Sequence, residues 1–306
     1  MPRQARLDAP GVLHHVIIRG IERRQIFTND KDREDFLNRL AVILPATQTN
    51  CYAWALIPNH AHFLFRTGRR PLSIVMRRLL TGYAVSFNRR HKRHGRLFTN
   101  RYKSIVCQED AYLKELVRYI HLNPVRVGIV SGVKDLNRYA YCGHSTVMGR
   151  KKRPWQDVAH VLGHFGKTAK SAREAYLHYA EGGVRQGRRH ELTGGGLVRS
   201  VGGWAEVKRL RREGCDHVIS DERILGDSDF VETLLSRSNE RYACGYELKR
   251  RGVDLDWIAK RVADIYGLEP HTVLSKGKQQ QKVKARGLFC FLAVRELGVS
   301  FRDLAR

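Results

Sequence analysis

The chain has 306 residues, with 56 Lys and Arg against 30 Asp and Glu, giving a net charge of +26. Its 42% hydrophobic content supports packed cores and excludes wholesale disorder, and the length suits about two domains. No apolar run approaches the ~18 residues a membrane span needs. No signal-peptide core is recognisable at the N-terminus, and the six cysteines are scattered without a CxxC pair. A disulfide framework or zinc knuckle is therefore not expected, and a cytoplasmic location is. So large an excess of positive charge points to a polyanionic partner, most simply nucleic acid.

The first strand is expected around Val16-Ile17-Ile18. Asn29 or Asp30 can cap a helix carrying Phe36, Leu37, Leu40, Ile43 and Leu44 at helical spacing. Residues 51–57 read as a strand, Pro58-Asn59 as a turn, and 60–66 as a second alternating strand. A long helix follows with Leu72, Val75, Met76, Leu79, Leu80, Tyr83 and Phe87 on one face. Residues 103–107 make a fourth strand, and a helix over 109–122 turns Leu113, Leu116, Val117 and Ile120 inward. The order βαββαβ plus a helix predicts an α+β fold. Its core would be a ferredoxin-like antiparallel sheet with helices on one face. Residues 150–181 look helical, 182–203 is glycine-rich and loop-like, and 255–306 reads as a separate helical unit.

Three features carry chemistry. In a strand, His60 and His62 share one face while Ala61, Phe63 and Phe65 share the other. Two neighbouring imidazoles offer nitrogen ligands to a divalent metal, although the spacing alone also fits ordinary strand histidines. Tyr119 and Asn123 are one helical turn apart at the edge of the apolar face, and Pro124 should end the helix at Asn123. Alone, Tyr119 also fits an ordinary packing residue. Residues 77–103 hold Arg77, Arg78, Arg89, Arg90, Lys92, Arg93, Arg96, Arg101 and Lys103, with no Asp or Glu. Tyr83, Phe87, Phe98 and Tyr102 are interleaved, a pattern suited to phosphate contacts and base stacking on single strands.

PNHAHFLF (58–65), GRLFTNRYKS (95–104) and YLKELVRYIHLNPVRVG (112–128) together resemble the REP-associated tyrosine transposases. These are single-tyrosine insertion-sequence enzymes with a His-hydrophobic-His motif. The resemblance covers about residues 10–145. It implies a divalent metal, Mg or Mn, on His60 and His62, with Asn123 completing the site. It implies Tyr119 as the nucleophile that attacks single-stranded DNA, forming a 5′-phosphotyrosine link, and hairpins of repetitive extragenic palindromes as targets. Tyr102 and Tyr112 are weaker nucleophile candidates, because Val106 and Leu116 at i+4 cannot ligate. His14-His15, His91, His94, His160 and His164 are given no metal role. The resemblance leaves open a monomer or a homodimer.

Residues 257–306 resemble the C-terminal DNA-binding domain of the replication initiator DnaA, a helical unit of the Trp-repressor type. Lys276, Lys278, Lys282, Lys284 and Arg286 match its basic loop and following helix, and the match ends before the recognition helix that would enter the major groove. The expected organisation is a transposase domain over 1–145, a connecting region over 146–250 and a DNA-binding unit over 251–306. The leading expectation is a metal-dependent nicking and joining enzyme acting on DNA at the nucleoid. A non-catalytic DNA-binding protein or regulator would share the basic surface, but gives no reason for His60, His62, Tyr119 and Asn123 to occur together.

Overall fold

The computed structural model describes residues 6–8, 11–99, 101–187, 189, 192, 221–236, 252–275, 277, 279–295, 297, 299 and 304. Its packing divides the chain into Met1–Val231 and Glu232–Arg306.

The first unit is built on strands β1 (Leu13–Arg19), β2 (Asn50–Ile57), β3 (His60–Arg66) and β4 (Lys103–Cys107). They lie in the order β2-β3-β1-β4, each antiparallel to its neighbour. A short β5 (Ile224–Leu225) extends the sheet beside β4 in the parallel sense, so the complete sheet is mixed.

Helices α1 (Asp30–Thr47) and α2 (Leu72–Arg90) cover one face, as the ferredoxin-like pattern predicts. A capping box starts α1: the Asn29 side chain accepts from the Asp32 N–H, and the Asp32 carboxylate accepts from the Asn29 N–H. Phe36, Phe63 and Phe65 stack in this layer, with ring centroids 5.8 and 5.2 Å apart. Each such buried ring stabilises the fold by roughly 2 kcal/mol.

The other face is not open. Helix α3 (Glu109–His121) packs Leu113, Leu116, Val117 and Ile120 against Tyr52, Ala53, Ala55 and Leu64. Segment 133–180 joins the same core through Leu136, Val147, Val161 and Tyr176. Residues 147–176 therefore share the first unit's packing through these side chains. A buried chain fastens this layer: Tyr176 Oη meets His121 Nδ1 at 2.8 Å and His144 Nδ1 at 2.7 Å, and His144 Nε2 meets Asn137 Oδ1 at 2.9 Å.

In the second unit, helices Leu255–Tyr266, Pro270–Leu274 and Gln280–Arg295 enclose Ile258, Val262, Val273 and Phe289. Asp254 caps the first of them and Gly267 ends it with φ +61°, where a left-handed turn favours glycine. Lys284 is exposed, Lys282 and Arg286 are half-buried, and an Arg286 Nη donates to the Gly277 carbonyl at 2.7 Å. Lys276, Lys278 and residues 300–303 and 305–306 lie outside the described residues.

Candidate active site

The site grows from strand register. His62 pairs with Ile17 on β1 and Ala55 on β2, and His60 pairs with Arg19 and Ile57. Alternation then places His15, Ile17 and Arg19 on the same face as His60 and His62, and Lys103, opposite Ile17 on β4, joins them. The His60 and His62 rings lie 5.2 Å apart between centroids. Helix α3 crosses this face and brings the Tyr119 ring to 6.0 Å from His62 and 5.9 Å from His15, edge-on to both.

The helix breaks at Leu122, and the chain continues at once into the turn Asn123–Arg126 with Pro124 in its first positions. The expected stop at Asn123 is thus a break followed by one further helical turn, because proline is tolerated at the start of a helix. That turn carries Asn123 and Arg126 to the same place. His60, His62, Tyr119 and Asn123 all line one cavity of about 930 Å3, together with Lys103 and Arg126.

The donors have defined states. His62 is 4% exposed, and burial pushes its pKa well below the usual value, with His15, His60, Arg19 and Arg126 adding to the effect. Burial likewise lowers His15 to about 4. Both rings are neutral at pH 7, as metal ligation requires of an imidazole. His60 Nδ1 lies 2.6 Å from Asn59 Oδ1, which orients that ring.

Asn123 is 6% exposed, and its amide nitrogen is buried with no hydrogen-bond partner among the described residues. Burying such a donor costs about 1–3 kcal/mol. A half-turn of the amide replaces it with the carbonyl oxygen, which can accept a cation. Among the described residues no three His, Cys, Asp or Glu side chains cluster as a metal site.

Arg126 and His15 are the residues that sequence reasoning passes over. An Arg126 Nη donates to the Tyr119 carbonyl at 2.8 Å, and the guanidinium sits 4.8 Å from the centre of the Tyr119 ring. Burial lowers the guanidinium from its usual value while Tyr119 opposes the shift, and Arg126 Nε is buried with no partner among the described residues. His15 touches both His62 and Tyr119. The one available signal for it was the His14-His15 dipeptide, since adjacent strand residues face opposite sides. Which side bears the site depends on pairing between distant strands.

At the rim, Glu22 and Arg23 have φ of +52° and +61°, strained values for non-glycine residues. Gly20 allows this tight loop: a Cβ there would lie 2.0 Å from the Arg24 carbonyl oxygen.

The basic stretch is not one surface. Arg77, Arg78, Arg89 and Arg90 belong to α2, on the far side of the sheet from His60 and His62, whereas Lys103 lines the cavity. Arg90 pairs with Asp32 and with Asp35, and His91 Nε2 lies 3.0 Å from both Asp32 oxygens. Burial would raise the Asp32 carboxyl, but bonds from His91, the Thr28 N–H and Arg90 hold it below its usual value. Lys92, Arg93 and Arg96 lie in the connection after α2, where Arg93 sits over Phe87, and Arg101 is exposed just before β4. Tyr102 is buried, with burial raising its pKa to about 12, and Tyr112 packs against the α3 layer. His160 Nε2 bonds Glu109 at 2.9 Å at the other end of the sheet.

Residues 10–123 match the family model described as "Transposase IS200 like". A solved structure of a REP-associated tyrosine transposase bound to a REP hairpin is similar over 52% of this chain and 93% of its own, with 17% identity and a TM-score of 0.40. No curated protein matches the chain. Among the described residues, no helix is long and apolar enough to cross a membrane. Residues 10–123, which run from before β1 to the Asn123 turn, are thus similar to the IS200-like transposases over the part of the chain that builds the site.

Proposed function

We propose that this protein is a transposase that cleaves and rejoins single-stranded DNA with Tyr119 as nucleophile and a divalent metal, Mg or Mn, held by His60, His62 and Asn123. The observation that carries the reading is the convergence of these four side chains on one cavity, although they come from β3, α3 and the turn after it.

The residues fit such a cation: two neutral imidazoles and one amide leave coordination positions for phosphate oxygen and water. When bound, the metal polarises the phosphodiester and offsets the negative charge that develops on its oxygens. Tyr119 gives up its phenolic proton and its Oη bonds to phosphorus, while the bond to the 3′ oxygen breaks and a 3′-OH departs. The product is a 5′-phosphotyrosine. Attack by a 3′-OH reverses these steps and reseals a strand without loss of bond energy. Helix α3 and the turn after it hold nucleophile and amide on adjoining backbone, and such positioning lowers the entropic cost of reaction. Arg126 lies against the ring, and its charge favours the phenolate both as attacking and as leaving group.

The motifs at 58–65, 95–104 and 112–128 support palindrome hairpins with single-stranded flanks as the substrate class, and DNA of that kind places the protein at the nucleoid. The terminal unit, with Lys282, Lys284 and Arg286 on one helix, is proposed to add phosphate contacts to DNA. Incubating 3′-end-labelled hairpin DNA with the protein and Mn2+, followed by denaturation, tests the proposal. Label should remain on a peptide containing Tyr119. No adduct with any single-stranded substrate would replace this reading with that of a DNA-binding regulator.

A further inference from the structure

His15 Nδ1 lies 2.9 Å from the Leu192 carbonyl oxygen, and its Nε2 lies 2.9 Å from His62 Nδ1. The two rings are only 28° from coplanar with centroids 5.2 Å apart, the arrangement of an in-plane N–H···N bond. His15 is completely buried, and no carboxylate among the described residues bonds its ring nitrogens.

These contacts determine where the protons sit. A carbonyl only accepts, so His15 Nδ1 carries a hydrogen and donates to Leu192. In a neutral ring, Nε2 is then an acceptor. His62 Nδ1 must therefore donate to it, which leaves the lone pair of His62 on Nε2.

We propose that His15 is a positioning residue that fixes the tautomer and orientation of His62, holding the proton on Nδ1 and presenting Nε2 to the metal. The proposal rests on the metal reading above and deepens it. Metal-bound histidines commonly donate their second N–H to a carboxylate or carbonyl; here that acceptor is another imidazole, itself set by a backbone carbonyl from a remote part of the chain. Because His15 also meets the edge of Tyr119, one side chain fixes the spacing between ligand and nucleophile. Without it, His62 Nδ1–H would be a buried donor lacking an acceptor, and the ring would flip or exchange tautomers.

Two-bond proton–nitrogen couplings in nitrogen-15 histidine-labelled protein, kept metal-free at neutral pH, report each ring's tautomer. His62, assigned by comparison with His62→Gln, should carry its hydrogen on Nδ1 in the wild type and lose that preference in His15→Leu. Mn2+ affinity, measured by electron paramagnetic resonance, should fall about 10-fold or more in His15→Leu. His15→Gln should recover most of it, because its amide oxygen can accept from His62 Nδ1–H. A wild-type His62 protonated on Nε2 would overturn the proposal. So would wild-type Mn2+ affinity in folded His15→Leu, or a folded His15→Gln that binds Mn2+ no better than His62→Gln. If His15→Leu does not fold, the wild-type tautomer and His15→Gln still decide. The tautomer is read without metal and adduct formation without any His15 variant, so failure of the active-site reading and failure of this one give different results.

Discussion

The Arg126 guanidinium lies 4.8 Å from the centre of the Tyr119 ring while donating to the backbone carbonyl of the same residue at 2.8 Å. Leu122 closes α3, and the helical turn after it carries Arg126, seven positions on, to the Tyr119 carbonyl. Replacing Arg126 by Ala should cut DNA cleavage by about 10²–10³-fold while single-strand binding changes far less. Arg126→Lys should recover only part of the rate, because an ammonium lacks the planar fork. Single-turnover cleavage with pre-bound substrate measures this, and an unchanged rate in Arg126→Ala would remove Arg126 from the mechanism.

Tyr119→Phe removes one oxygen from a buried ring and should leave stability within about 1 kcal/mol. Cleavage should drop at least ~10³-fold and the covalent adduct should vanish, while DNA affinity persists. An adduct that survives in this variant, or maps to Tyr102 or Tyr112, would reassign the nucleophile.

His60→Ala should weaken Mn2+ binding more than ~10-fold and abolish cleavage, with little loss of single-strand affinity. Chelation of the wild type should reproduce the cleavage defect reversibly. Cleavage that continues in excess chelator would exclude the metal from the reaction.

The basic residues should separate by layer. Helix α2 packs on the face opposite the site, so Arg77→Ala/Arg78→Ala should leave cleavage at saturating DNA unchanged. Lys103→Ala, inside the cavity, should lower both the rate and the salt dependence of binding, by about 0.7 log units per log unit of salt for one lost phosphate contact. Arg90→Ala should act on stability instead, costing about 1–3 kcal/mol through its bond to the buried Asp32. Salt titrations of binding and urea unfolding distinguish these outcomes.

Acid should destabilise the metal-free protein well above the carboxylate range. Burial lowers His14, His15 and His144 to about 4 and pushes His62 and His121 well below their usual value. Between about pH 6.5 and 4 the unfolded chain binds protons that the folded chain refuses, so stability rises with pH across that window and is lost on descending through it. Each such histidine contributes up to about 1.4 kcal/mol per pH unit. Urea midpoints at pH 7, 6 and 5 should fall steeply, and a flat profile would show that these rings are not buried neutral in solution.

Local spacing made much of this protein legible. The alternation in 60–66 assigned His60 and His62 to one face and the phenylalanines to the other, and the helical interval joined Tyr119 to Asn123. Both follow from backbone periodicity, which a sequence displays directly. The pairing of β1 with β3 is different, because many registers satisfy the same alternation. Only the assembled sheet sets His15 beside His62. Likewise, no local pattern says which sheet face a helix will cover. Packing of α3 and 133–180 closed the face that alternation alone left open, and it separated the α2 arginines from Lys103 although they share one uninterrupted basic stretch. Sequence thus decided which residue types share a strand or helix face. Long-range burial of apolar surface, which depends on the whole chain at once, decided which of those faces meet.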